Sequence, residues 1–124
     1  MAKVLVIDDH DDTRELMRVV LGHAGHDVSV AADGDEGLLR YGIERPHVVV
    51  VDIFMPRLNG MAVIESLCAG AGAAVGLIAI SASSTFGGGD VRHEAARRGA
   101  DLVLRKPLDF DVLLAAVKDL ATAA

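Results

Sequence analysis

The sequence predicts an α/β domain, a doubly wound five-stranded parallel sheet with five helices. Three observations predict it. Short runs of consecutive aliphatic residues recur along the chain, as in strands covered on both faces. Helical stripes lie between them, so strands and helices alternate as βαβ units. Acidic and polar residues follow the runs directly, at the carboxyl ends where open parallel sheets bind ligands.

Taken in order, Val4–Ile7 predicts the first strand. In Thr13–Ala24, Leu16 with Val20 and Met17 with Leu21 show the four-residue spacing of a helix face. Val28–Ala32 is a weaker apolar run and predicts the second strand, and a short helix is expected near Glu36–Gly42. Val48–Val51 reads as a fully buried third strand. In Met61–Ala69, Val63 with Leu67 and Ile64 with Cys68 give the third helix. Val75–Ile80, interrupted by Gly76, is the fourth strand. Gly87, Gly88 and Gly89 each forfeit roughly 1 kcal/mol of helix propensity. They predict a mobile loop and a late fourth helix over Val91–Arg98, with Asp90 as its N-cap and Gly99 as its C-cap. Leu102–Leu104 is the fifth strand. Val112, Leu113, Ala116, Val117 and Leu120 stripe the last helix, Phe110–Ala121.

Five such units in 124 residues leave no room for a second domain, so residues 1–124 are expected to form one unit. Hydrophobic residues make up 52% and aromatics 3%, so aliphatics and alanine must fill the core. A net charge of −6 gives no electrostatic reason to hold nucleic acid, which needs clustered Lys and Arg. The single cysteine, Cys68, excludes an internal disulfide framework and suits a reducing compartment, the cytoplasm. It reads as a core thiol. Ser66–Gly89 carries no charge and could match a membrane span of about 20 residues in length. Its glycines, among them Gly70, Gly72 and Gly76, and its serines argue instead for helix end, loop, strand and loop.

Asp8 and Asp9 end strand one and Asp52 ends strand three. If the order is 2-1-3-4-5, the fold the whole chain is expected to take, those strands are neighbours at the switch point and three carboxylates converge. Like charges so close resist ionising together. An oxygen-only acidic cluster suits Mg²⁺, whose charge offsets that repulsion. Asp52 is then free to act as a nucleophile, since aspartate can form an acyl phosphate. Ser81 ends strand four and Lys106 follows strand five. They are expected to hydrogen-bond and to pair with a phosphoryl group. His10 has no second histidine at ligand spacing and reads as a solvent-facing loop residue. Asp11 reads as an N-cap or first-turn acid, Phe54 and Met55 as packing residues, and Asn59-Gly60 as the turn that starts the third helix.

IDDHDDTREL, VVVVDIFMPRLNG, ISAS and GADLVLRKPL together resemble the receiver domains of two-component response regulators, of the single-domain chemotaxis type. The likeness spans the whole chain and implies a flavodoxin-like fold. It implies that Asp52 accepts a phosphoryl group from a sensor histidine kinase or phosphotransfer protein. It further implies that Asp9, Asp52 and the backbone carbonyl of Phe54 bind Mg²⁺ directly, with Asp8 acting partly through water. Ser81 and Lys106 would hold the phosphoryl group with help from the amide of Ala82, and the Lys106–Pro107 bond would be cis.

Two departures from the family stand out. Val103 occupies the position three before the lysine where the family often has Tyr or Phe, a ring that swings inward during signalling. The glycine-rich Ser83–Ala96 segment lies beside the usual output face, which is expected to be more disordered before phosphorylation than after it. The chain ends about where the last helix should, so the expected output is binding to a target protein or a second copy of itself, with no membrane or direct nucleic-acid contact. Two alternatives are a docking receiver independent of phosphorylation and a phosphatase resembling the haloacid dehalogenases. The latter needs an acid two residues after the nucleophile, where this chain has Phe54.

Overall fold

The alternation of aliphatic runs and helical stripes resolves, in a computed structural model that describes residues 2–71 and 75–122, into seven strands and five helices. The strands are β1 (Lys3–Ile7), β2 (Asp27–Ala31), β3 (Val48–Asp52), β4 (Gly76–Ser81), β5 (Thr85–Phe86), β6 (Gly89–Asp90) and β7 (Leu102–Arg105). The helices are α1 (Asp11–His23), α2 (Gly34–Glu44), α3 (Gly60–Ala71), α4 (Val91–Arg98) and α5 (Phe110–Thr122). Residues 72–74, which include Gly72 and the loop expected before the fourth strand, lie outside the described residues, as does the chain beyond 122.

Five strands form one parallel sheet in the order β2-β1-β3-β4-β7, the predicted order once the small β5–β6 pair is counted. β1, β3 and β4 are central and nearly fully buried. The edge strands β2 and β7 are only partly covered, which is why the run at Val28 reads more weakly than the others. Alternate strand residues feed two separate aliphatic layers. Leu5, Ile7, Val49, Val51, Leu77 and Ala79 pack with Met61, Val63, Ile64 and Leu67 of α3 and with Val91 and Ala95 of α4. Val4, Val6, Val48, Val50, Ile78 and Ile80 pack with Met17 and Leu21 of α1 and with Leu113, Ala116 and Val117 of α5.

The structure corrects three local expectations. The glycine-rich loop is a hairpin in which Thr85 pairs with Asp90 and Phe86 with Gly89. Gly87 and Gly88 turn the chain with φ of 58° and 85°, the positive values that a two-residue hairpin turn requires. Asp90 still caps α4, its carboxylate accepting from the Arg92 amide at 2.8 Å. In α1 only the Met17/Leu21 pair faces inward, whereas Leu16 is 48% exposed. Cys68 is half-buried rather than central, its sulfur 3.8 Å from the Gly99 carbonyl oxygen. Gly99 does close α4, at φ 123°.

Candidate functional site

The parallel register sets the tips of β1 and β3 side by side, Ile7 opposite Val51, so that the next residues of each strand meet at one end of the sheet. Asp8 is fully buried there and Asp52 is 2% exposed, while Asp9 keeps partial access to solvent. One carboxylate oxygen from each, together with His10 Nδ1, falls within 4.8 Å of the others. The convergence expected of the three acids is therefore present.

Lys106 enters from the far side of the pocket. Its ammonium donates to Asp52 Oδ2 at 3.2 Å and lies 3.5 Å from Asp8 Oδ2. The Lys106–Pro107 peptide is cis. The Phe54 amide donates to the other Asp52 oxygen at 3.1 Å. Even so, burial and then the neighbouring Asp8 carboxylate push the Asp52 carboxyl above the ordinary carboxylate range, with Lys106 pulling the other way. Asp8 Oδ2 and Asp9 Oδ1 are buried and accept no hydrogen bond. Two orphaned anionic oxygens beside a third carboxylate form a hard, oxygen-rich donor set, and that set fits Mg²⁺.

His10 does not simply face solvent. Its amide donates to Asp8 Oδ1 at 2.8 Å, which folds the residue back over the acids. Its Nδ1 lies 3.3 Å from Asp8, 3.2 Å from Asp9 and 3.6 Å from Asp52, although the side chain is 61% exposed. It also occupies the N-cap of α1, where Asp11 and Asp12 are first-turn acids. Arg14 adds a contact the sequence did not flag, donating to the Asp8 carbonyl oxygen at 2.9 Å.

Ser81 sits at the tip of β4, adjoining β3, with its hydroxyl engaged by Ser83. It donates to the Ser83 carbonyl at 2.6 Å and accepts from the Ser83 amide at 3.1 Å. Ala82 follows it on the exposed rim. Phe54 touches the acids through its amide. Its ring is 39% exposed and stands 6.1 Å, centroid to centroid, from Phe86 of the hairpin. Arg98 in turn lies 5.6 Å over the Phe86 ring and pairs with Glu65 at 3.1 Å.

Asn59-Gly60 does more than turn the chain. Asn59 caps α3 by accepting from the Ala62 amide at 3.0 Å. Gly60 packs so tightly on the tip of β3 that a Cβ there would stand 2.3 Å from the Asp52 carbonyl oxygen. The missing side chain is what lets α3 start directly behind the acid. Beside Lys106, a groove of about 280 Å³ runs between α1 and the β7–α5 connection, lined by Leu16, Pro107, Leu108 and Phe110 among others.

Comparison with known proteins agrees with this fold. The sequence model of the response regulator receiver domain matches residues 4–118. The chain belongs to the response regulator receiver domain family. This receiver is 34% identical over 118 residues to the response regulator MprA of Mycobacterium tuberculosis, covering 95% of this chain and 50% of that protein. It is 37% identical over 65 residues to the alkaline phosphatase synthesis transcriptional regulatory protein PhoP of Bacillus subtilis, covering 52% of this chain and 27% of that one. The receiver thus spans half or less of the length of these curated relatives. Among solved structures it superimposes on the receiver domain of Francisella response regulator 1452 with a TM-score of 0.90 at 28% identity, covering 99% and 98% of the two chains. For the chemotaxis protein CheY4 of Vibrio cholerae the TM-score is 0.87 at 26% identity, covering 97% and 98%. No helix among the described residues is long and apolar enough to cross a membrane.

Proposed function

We propose that this receiver is a phosphoacceptor switch in the cytoplasm, phosphorylated on Asp52 by a sensor histidine kinase or phosphotransfer protein. The observation that carries the reading is Asp52 itself. It is a carboxylate at a buried strand tip, one oxygen on the Phe54 amide and the other on the Lys106 ammonium, beside two carboxylates with orphaned oxygens. A carboxylate oxygen of Asp52 attacks the phosphorus of a phosphohistidine. The O–P bond forms as the P–N bond breaks, and the departing imidazole nitrogen keeps the electron pair and takes a proton from solvent. Water later attacks the same phosphorus and returns aspartate and inorganic phosphate. The chain is its own catalyst for both steps and not a turnover enzyme.

Asp9 and Asp52 would hold Mg²⁺ directly, with the Phe54 carbonyl, and Asp8 would act partly through water. The bound cation supplies charge neutralisation for the incoming phosphoryl oxygens. Lys106 stays beside those oxygens as a second positive charge. Ser81 leaves Ser83 and donates its hydroxyl proton to the phosphoryl group, with the Ala82 amide as a further donor. The groove at Leu16 and Phe110 gives the donor protein apolar ground next to the acceptor. The added phosphoryl brings about two negative charges and three acceptor oxygens, enough to bias an equilibrium between two conformers. The output is binding to a target protein or to a second copy through the α4–β7–α5 face, with no direct nucleic-acid contact.

A second reading, docking without phosphorylation, has one observation in its favour. Val103 packs half-buried against the aliphatic layer, and no ring is available there to swing. Incubation with acetyl phosphate and Mg²⁺, followed by intact mass, tests both. A single phosphoryl adduct that Asp52→Asn abolishes supports the switch. No adduct supports docking, and steady phosphate release without an adduct supports a phosphatase.

A further inference from the structure

We propose that His10 is a ligand of the divalent cation, through Nδ1, and that it makes this site accept borderline first-row cations such as Co²⁺, Ni²⁺ and Zn²⁺ in addition to Mg²⁺. The inference rests on the reading that the acids hold a divalent cation, and it goes further in naming a nitrogen donor and the class of metal that donor selects.

Three observations carry it. Nδ1 converges on the same point as the carboxylates, its distances to Asp8, Asp9 and Asp52 being 3.3, 3.2 and 3.6 Å, and the four donor atoms lie within 4.8 Å of one another. The space they share is not satisfied by the protein. Asp8 is fully buried, yet its Oδ2 accepts no hydrogen bond, and the nearest positive charge, Lys106, stands 3.5 Å away. The backbone beneath the ring is fixed, since the His10 amide donates to Asp8 Oδ1 at 2.8 Å and the residue sits at the N-cap of α1 with φ −90° and ψ 115°, and Nδ1 itself lies 3.3 Å from that oxygen. A neutral imidazole presents a lone pair that Mg²⁺, an oxygen-seeking cation, uses poorly and that Co²⁺, Ni²⁺ and Zn²⁺ use well. Three carboxylates and one imidazole are a mixed donor set of the kind those cations accept. With Lys106 the one Lys or Arg ammonium or guanidinium paired with Asp8 and Asp52 among the described residues, a divalent charge also fits the pocket's balance.

Co²⁺ is the probe, because a coordinated imidazole gives paramagnetically shifted proton resonances. Titrations of the full chain with CoCl₂ and with MgCl₂, followed by calorimetry and proton NMR, are compared for wild type, His10→Ala and Asp52→Asn. The expected result is a shifted imidazole signal in wild type that His10→Ala removes, and a Co²⁺-to-Mg²⁺ affinity ratio that falls about tenfold or more in His10→Ala, since even groups behind a ligand shift metal affinity by that much. Co²⁺ binding that Asp52→Asn weakens but His10→Ala leaves unchanged, with no His10 signal, overturns the ligand role and leaves the acidic cation site standing. Failure of both cations to bind at the acids overturns the cation site and this inference with it.

Discussion

Lys106 Nζ and Asp52 Oδ2 lie 3.2 Å apart although 54 residues separate them in the chain, and theirs is the contact that closes the pocket across the sheet. The ammonium compensates the acids only in part, because burial and Asp8 still hold the Asp52 carboxyl above its ordinary range. An acid whose folded pKa is raised binds more protons in the native state than in the unfolded one. Stability is then greatest at low pH and is lost as pH rises from the ordinary carboxylate value through the raised one. Without divalent cations, Asp52→Asn is therefore expected to be more stable than wild type at neutral pH, by about 4 °C in Tm, the shift that roughly 1 kcal/mol gives in a domain of this size. The gap should close as the pH falls. Thermal unfolding across a pH series checks both parts.

Gly60 and Gly42 make a matched pair. A methyl at Gly60 would meet the backbone at the tip of β3, whereas one at Gly42 meets nothing within 4 Å. Gly60→Ala is expected to cost about 1–3 kcal/mol or more, as overpacking against atoms that cannot move aside does. Gly42→Ala, inside α2, is expected to stabilise by about 0.5–1 kcal/mol through helix propensity. Urea unfolding of the two variants measures the opposite signs directly.

Ser81 ties the end of β4 to the hairpin through both its hydroxyl bonds to Ser83, and Ser83 Oγ in turn accepts from the Thr85 amide at 3.1 Å. Ser81→Ala removes the first link and leaves the Ser83 amide without that acceptor. The expected cost is about 1 kcal/mol, with faster amide exchange at Ser83 and Thr85. Unchanged exchange at both amides would show that the hairpin is held from its α4 end instead.

Phe86 joins that hairpin to the rest of the molecule by lying between Phe54 and Arg98. Phe86→Ala gives up an aromatic pair and a cation–π contact, each worth about 0.5–1 kcal/mol. It is expected to raise amide exchange over residues 85–90 while leaving the core of the sheet protected. Exchange mass spectrometry on the two segments checks it.

The sheet was legible in the sequence because each central strand is buried on both faces and so reads as an unbroken aliphatic run. β2 was fainter because it is an edge, whereas β7 reads as a fully buried run and is corrected to a partly covered edge. The meeting of Asp8, Asp9 and Asp52 follows once the strand order is 2-1-3-4-5, whereas the reach of Lys106 to them, from the edge strand, is implied by the family resemblance. Three things followed from neither. The Gly87-Gly88 hairpin pairs only two residues per strand, too few to show an alternating pattern. The fold-back at His10 goes with bonds from its own amide and ring to Asp8, which no spacing rule encodes. The need for glycine at 60 arises from a backbone contact with β3, a distance that exists only once the chain is folded.

Val49 and Val50 are joined by one peptide bond yet belong to different aliphatic layers, the first facing α3 and α4 and the second facing α1 and α5. Adjacent positions along this chain are thus energetic strangers. Truncating both to alanine should cost the sum of the separate losses to within about 0.5 kcal/mol. Any excess over that sum would report how stiffly the strand transmits a disturbance from one side of the sheet to the other.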